Sequence, residues 1–160
     1  MPRYERSVRV AADFEDVWAF HSRGEGLVAL TPDWFELEIE ATYGPDGEPD
    51  PELLDEGAVI HSSVRPFGVG PRQRWTSEIV ERRRDDGEAL FRDRMVDGPF
   101  PRWEHTHRFV DEGAATRVQD RVKYALPGGA VGRALGPLAV VGFEPMFRYR
   151  HRRTRDLLEE

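Results

Sequence analysis

The stretch PRWEHTHRFVDEGAATRVQDRVKYALPGG, residues 101–129, predicts two neighbouring β-strands and the point at which the second one ends. Apolar and charged side chains alternate over 102–110 and again over 116–126, which is the period-two pattern of a half-buried strand. The short turn over 111–115 makes the pair an antiparallel hairpin. Pro127 and the two glycines after it then end the strand, because both residue types weaken a strand interior.

One face of this hairpin combines apolar residues with titratable ones. Alternate side chains of a strand share a face, and this face is formed by Trp103, His105, His107, Phe109, Thr116, Val118, Asp120, Val122 and Tyr124. If Phe109 pairs with Thr116, His105 lies opposite Asp120; the alternative register places His107 there. In either register an imidazole meets the carboxylate on a half-buried surface, which would satisfy the acid and raise the histidine pKa.

The rest of the chain supplies more strands and three helical segments. Strands are predicted over Tyr4–Val10, Phe35–Tyr43, Ala58–Pro66, Arg72–Arg83 and Ala89–Asp97. Helices are predicted after Asp13, over Glu25–Leu30, and from Ala130 to about Leu158 with a bend near Gly142 and Pro145. The order β-α-α-β6-α predicts an α+β protein, with an antiparallel sheet of about seven strands covered on one face by the long C-terminal helix.

Length and composition limit the function classes. A chain of 160 residues is expected to form a single domain, 1–160. It has no apolar run long enough to span a membrane and no secretory signal, so we expect a cytoplasmic protein. The absence of cysteine excludes disulfides and thiolate metal sites. The net charge of −7, with no basic and aromatic groove motif, argues against a nucleic-acid partner.

Charged residues are unevenly chosen and unevenly placed. There are 30 acidic and 23 basic residues, and Lys123 is the only lysine. Either a GC-rich genome or adaptation to high salt, as in a halophile, would produce this composition. The basic residues of the final helix, among them Arg148, Arg152 and Arg155, are interpreted as a solvated face, with a partner-binding surface as the weaker alternative.

Three interpretations compete for the histidine strip. Asp93 shares a strand face with Phe91 and Met95, so it is a second candidate for an inward carboxylate, and Trp75 on the preceding strand extends the same wall. The first interpretation is a metal site, in which Asp93 or Asp120 completes the ligand set of His105 and His107. The second is an acid/base pair that acts on a ligand, and the third is a hydrogen-bonded polar strip inside a pocket. We favour the polar strip and predict neither a metal nor another cofactor.

The element order and several motifs resemble the START-like (SRPBCC) superfamily, which has the helix-grip fold. The motifs are PRYERSVRVAADFEDVWAFHS (2–22), LTP (30–32), GPFPRWEHTHRF (98–109), DRVKYALPGG (120–129) and FRYR (147–150). They are similar to a subgroup described as cyclase/dehydrase-like or ligand-binding, and the resemblance covers essentially the whole chain. It implies a deep, largely apolar cavity between the sheet and the long helix, which holds a lipid, polyketide, sterol or aromatic compound.

Two functions are compatible with this resemblance. The first is non-enzymatic binding of a hydrophobic small molecule by a monomer or weak homodimer. The ligand-binding residues would be Trp75, Asp93, Met95, Trp103, His105, His107, Asp120, Tyr124, Phe143 and Phe147. The alternative is a polyketide cyclase or dehydratase, in which His105 or His107 abstracts a proton, Asp120 orients it, and Tyr124 or Arg6 polarises a carbonyl.

Overall fold

Seven strands form one antiparallel sheet in the computed structural model, which describes residues 2–136 and 140–159 apart from the side chains of residues 140 and 141. The strands are β1 (Arg3–Val10), β2 (Glu38–Tyr43), β3 (Val59–Val64), β4 (Gln73–Asp85), β5 (Glu88–Asp97), β6 (Arg102–Asp111) and β7 (Thr116–Ala125). Strands β2 to β7 follow one another as consecutive neighbours, and β1 joins the free edge of β7. The predicted α+β class and strand number are confirmed.

The described residues form four α-helices, namely α1 (Phe14–His21), α2 (Gly24–Ala29), α3 (Gly129–Leu135) and α4 (Val140–Leu158). The predicted C-terminal helix over 130–158 is helical on both sides of residues 137–139, which lie outside the described part of the chain. Pro145 lies inside α4. None of the helices in the described ranges is long and apolar enough to cross a membrane.

Most strand boundaries lie within two residues of the prediction, and a local turn explains two of those that differ. The strand predicted from Phe35 begins at Glu38, because residues 33–35 form a 3-10 turn and Glu36 then adopts a left-handed conformation with φ of 51°. The strand predicted to Pro66 ends at Val64, because Pro66 opens a second 3-10 turn. Both turns leave the sheet at the same end and contact each other.

Two apolar clusters hold helices against the sheet. One cluster packs Phe14, Val17 and Trp18 of α1 onto β4, β5, β6 and β7. The other packs Phe147 of α4 onto Tyr4 of β1 and onto β7. Residues of both clusters line a common cavity, whose walls are formed by the sheet, the α2 region and α4.

Candidate functional site

An internal cavity of about 480 Å³ lies between the sheet, the α2 region and α4. Its wall is mainly apolar and aromatic, with contributions from β3, β4, β5, β6 and one face of α4. Eight of the ten predicted ligand-binding residues line it, namely Trp75, Asp93, Met95, Trp103, His105, His107, Phe143 and Phe147. The fold therefore gathers most of the predicted set around one space.

The other two predicted residues, Asp120 and Tyr124, lie behind the cavity wall. Tyr124 is fully buried, donates its hydroxyl hydrogen bond to the carbonyl of Gly136 over 2.6 Å, and packs its ring against Phe143. Asp120 is 2% exposed and reaches the cavity only through the histidines that it contacts. Both residues position the wall and are not themselves part of the cavity lining.

Arg6, predicted as a second carbonyl-polarising group, also lies away from the lining. Its guanidinium pairs with Glu144 of α4 over 2.7 Å, and the Tyr4 hydroxyl donates to the other oxygen of the same carboxylate over 2.5 Å. These contacts join β1 to α4. Arg6 and Tyr4 thereby anchor the helix that closes the cavity.

Asp120 accepts hydrogen bonds from two different elements. In the β6–β7 pairing His107 lies directly opposite Asp120, which is the second of the two predicted registers. The bond nevertheless comes from His105, whose Nε2 lies 2.7 Å from Oδ1, while His107 Nδ1 lies 3.5 Å from the same oxygen. His151 of α4 provides the second bond, with Nε2 2.5 Å from Oδ2. The carboxylate therefore connects β6, β7 and α4.

A second histidine–carboxylate pair lies on the cavity wall itself. His107 Nε2 is 2.8 Å from Oδ2 of Asp93 on β5. An ionised carboxylate only accepts hydrogen bonds, so the proton of neutral His107 lies on Nε2. Its Nδ1 is then a buried acceptor without a hydrogen-bond partner among the described residues. The His107 ring is stacked between Phe91 and His105, with centroid distances of 4.0 and 3.6 Å.

Burial sets the protonation states of this network. Desolvation lowers the pKa of His107 to about 4, and the neighbouring His105 acts in the same direction, so that the two together outweigh the opposing effect of Asp93. The nearby carboxylates do raise the pKa of His107, as expected, but a stacked, buried imidazolium loses more hydration than they return, so the net shift is downward. Desolvation also lowers the pKa of His21, to about 3.

Asp120 and Asp93 stay ionised because hydrogen bonds from the histidines outweigh the effect of burial. Burial would raise the pKa of Asp120, but hydrogen bonds from His105 and His151 outweigh it and hold the pKa well below its usual value. Burial likewise opposes ionisation of Asp93, and its hydrogen bond from His107 holds its pKa below the usual value. The site thus combines anionic carboxylates with a neutral His107 beside an apolar space.

Asp93, His105 and His107 have donor atoms within 4.8 Å of one another, which makes them the metal-ligand candidate. The His105 and His107 rings, however, are stacked with an interplanar angle of 30°. Imidazole lone pairs lie in the ring plane, so stacked rings direct them side by side and not toward one ion. Each ring also already bonds a carboxylate. This geometry favours the hydrogen-bonded strip over a metal centre.

Three titratable residues of this region are absent from the predicted ligand-binding set: His21, Arg150 and His151. His21 is buried, with Nδ1 2.8 Å from the carbonyl oxygen of Val17. Arg150 and His151 follow Phe147 by three and four residues, so they share its helix face. That spacing is the signal which could have identified both, because Phe147 was already predicted to face the cavity.

Comparison with known proteins gives consistent results. The sequence model of the family described as polyketide cyclase/dehydrase and lipid transport matches residues 10–148. No curated protein matches the chain significantly.

Several solved structures are similar to this one. A protein from Thermus thermophilus is 24% identical with a TM-score of 0.59, over 96% of this chain and 97% of that one. Norcoclaurine synthase from Thalictrum flavum, in complex with dopamine and hydroxybenzaldehyde, is 19% identical with a TM-score of 0.65, over 98% and 85%. A START superfamily protein from Mycobacterium smegmatis is 18% identical with a TM-score of 0.59, over 97% and 98%. These likenesses confirm the predicted helix-grip fold, a curved antiparallel sheet with a long C-terminal helix, and together with the family match they confirm the predicted resemblance.

Proposed function

The chain belongs to the polyketide cyclase/dehydrase and lipid transport family, and we propose that it binds an apolar small molecule in the cavity between the sheet and α4. The observation that carries this proposal is the cavity itself, about 480 Å³ of internal space with a mainly apolar and aromatic wall. Small-molecule sites in proteins typically have volumes of roughly 300–1,000 Å³ and a few polar groups that orient the ligand. Here the His107–Asp93 pair supplies such groups.

The charge of the chain supports a small molecule over a polyanion. The protein has a net charge of −7, which opposes association with the phosphate backbone of nucleic acids. The cavity wall also offers many ring faces but few charged groups. An aromatic or otherwise apolar compound with one polar group would match that wall.

Filling the cavity tests the proposal. Ser62 of β3 is 2% exposed, lines the cavity, and its Oγ makes no hydrogen bond to the described residues. Ser62→Phe would place a ring inside the space, so we expect the affinity for the neutral fluorescent probe N-phenyl-1-naphthylamine to fall at least about tenfold, the equivalent of about 1.4 kcal/mol. Fluorescence titration of the purified protein measures this change.

A matched variant separates blocking from general effects. Ser7→Phe adds the same ring to an exposed position on β1, and it should leave probe affinity unchanged. Circular dichroism and thermal unfolding establish that both variants are folded. Equal probe affinity in the wild type and in Ser62→Phe would contradict binding in this cavity.

A second function, a cyclase or dehydratase, is favoured by one specific observation. His105 lines the cavity, its Nε2 faces the ionised Asp120, and its Nδ1 makes no hydrogen bond to the described residues. An oriented imidazole with one free nitrogen is the arrangement of a general base. In this alternative His105 takes a proton from the substrate and Asp120 holds the ring in position.

The double variant His105→Ala/His107→Ala separates the two functions. For a binding protein, affinity for N-phenyl-1-naphthylamine should stay within about tenfold of the wild type, because the apolar wall remains. For an enzyme acting on a polyketide-like substrate, turnover should fall by about 100-fold or more while substrate binding changes little. Parallel binding and product-formation assays distinguish these outcomes, and a large loss of probe affinity alone would place the histidines in ligand binding.

A further inference from the structure

Arg150 is a cationic side chain on the cavity face of α4. It follows Phe143, Met146 and Phe147 at helical spacing, and all four residues line the cavity. Arg150 is 9% exposed, so its charge is largely removed from solvent. The other cationic residue of the lining, Arg23, lies at the surface and pairs with Glu52 over 3.6 Å.

No carboxylate of the described residues lies within 4.0 Å of the Arg150 guanidinium, and its buried Nε has no hydrogen-bond partner. Several other arginines do have a carboxylate partner within this distance. Arg6 and Arg148 pair with Glu144, and Arg155 pairs with Glu159. A buried charge without a counterion is costly, because the lost hydration is not replaced by ion pairing. The side chain therefore provides an unused anion-binding group inside the cavity.

The charged and titratable groups around Arg150 do not form an ion pair with its guanidinium. Asp93 is near enough for the arginine to help lower its pKa, but its carboxylate is engaged by His107. His21 is kept neutral near physiological pH, because burial lowers its pKa to about 3. Asp120 is held by His105 and His151.

We propose that Arg150 binds the carboxylate of the ligand, whose apolar part fills the rest of the cavity. This inference rests on the proposed function and specifies its ligand class as an apolar monocarboxylic acid. A guanidinium presents N–H donors in a planar fork that matches the two oxygens of a carboxylate. A ligand carboxylate adds one negative charge to a space that already holds ionised Asp93, whereas a phosphate dianion would add two, and each further buried charge is costly.

The experiment compares two ligands that share a chain and differ in one group. Octanoate and octan-1-ol compete separately against N-phenyl-1-naphthylamine, which is neutral and reports occupation of the cavity. In the wild type octanoate should compete at least about tenfold more strongly than octan-1-ol, in line with a charge-assisted hydrogen bond. In Arg150→Gln this preference should disappear while affinity for the neutral probe stays within about threefold.

Two further variants control for charge and folding. Arg152→Gln makes the same charge change at an exposed position of α4 and should keep the full preference for octanoate. Arg150→Lys keeps the charge but not the fork, and it should keep part of the preference, which protects the test if Arg150→Gln is unfolded by circular dichroism.

The outcomes distinguish the two proposals. If the wild type binds the probe but octanoate and octan-1-ol compete equally, the carboxylate assignment is overturned and the binding function stands. If the preference persists in folded Arg150→Gln, or disappears equally in Arg152→Gln, the assignment to Arg150 is overturned. If the wild type does not bind the probe, the proposed function fails and this inference fails with it.

Discussion

Asp120→Ala is expected to lower the free energy of unfolding by about 3–5 kcal/mol, since the variant loses the acceptor of two buried hydrogen bonds and each donor left unsatisfied costs about 1–3 kcal/mol. The carboxylate is 2% exposed and accepts hydrogen bonds from His105 and His151. Alanine would leave both buried N–H groups without an acceptor and create a small cavity between β7 and α4. Urea unfolding at pH 7, followed by tryptophan fluorescence and circular dichroism, measures the change.

Two comparison variants show whether the network is responsible. Asp120→Asn keeps the shape, but its NH2 group faces one histidine as a donor, so a smaller loss that still exceeds about 1 kcal/mol is expected. Glu88→Ala breaks an exposed pair with Arg108 and should cost no more than about 1 kcal/mol. A loss for Asp120→Ala as small as that of Glu88→Ala would show that the buried network contributes little to stability.

As the pH falls, we expect the protein to lose stability already near pH 6.5, which is well above the pH range in which carboxylates titrate. The pKa of His107 is lowered to about 4 and that of His21 to about 3, both by burial, against an ordinary histidine value near 6.5. Between these values and pH 6.5 the unfolded chain binds protons that the folded protein does not. The free energy of unfolding therefore falls as the pH falls, by on the order of 3 kcal/mol or more between pH 7 and pH 4.

Among the groups around the two histidines, the carboxylates oppose the lowered pKa values, whereas the nearby cationic and imidazole groups act with burial. His107 faces Asp93, Asp120 and His105, and the charge of Arg150 acts on His21. Asp93 and Asp120 have lowered pKa values, so the stability that they contribute is lost at still lower pH, as they take up protons below the ordinary aspartate value. Destabilisation thus begins with the histidines and continues with the carboxylates.

Urea unfolding at intervals from pH 7 to pH 4 measures this dependence, and NMR titration of the ring protons identifies the histidines. His107→Gln should give a shallower dependence over this range, because the protein then loses a group that must be neutral when folded. A free energy of unfolding that stays constant from pH 7 to pH 4.5, or the same dependence in His107→Gln, would contradict the buried neutral state of His107.

The strand content, the topology class and eight residues of the cavity wall follow from the sequence alone. Alternation over 102–110 and 116–126 is a local property, because the period of a strand decides which side chains share a face wherever the strand lies. For the same reason the alternation predicts that His105, His107 and Asp120 share one face, whichever register the strands adopt. Short turns between successive strands were enough to predict an antiparallel sheet of seven.

The hydrogen-bond partners within that set depend on contacts between distant parts of the chain. The sequence is compatible with two registers. In the observed one His107 lies opposite Asp120, but the directions of the side chains lead His105 to make the hydrogen bond to this carboxylate. Its second partner, His151, comes from α4, and Arg150 beside it turns toward the cavity. The rotation of a helix about its axis depends on packing against distant strands, here Phe147 against Tyr4. A local pattern therefore predicts which residues share a face, but the choice of hydrogen-bond partner requires contacts between residues far apart in sequence.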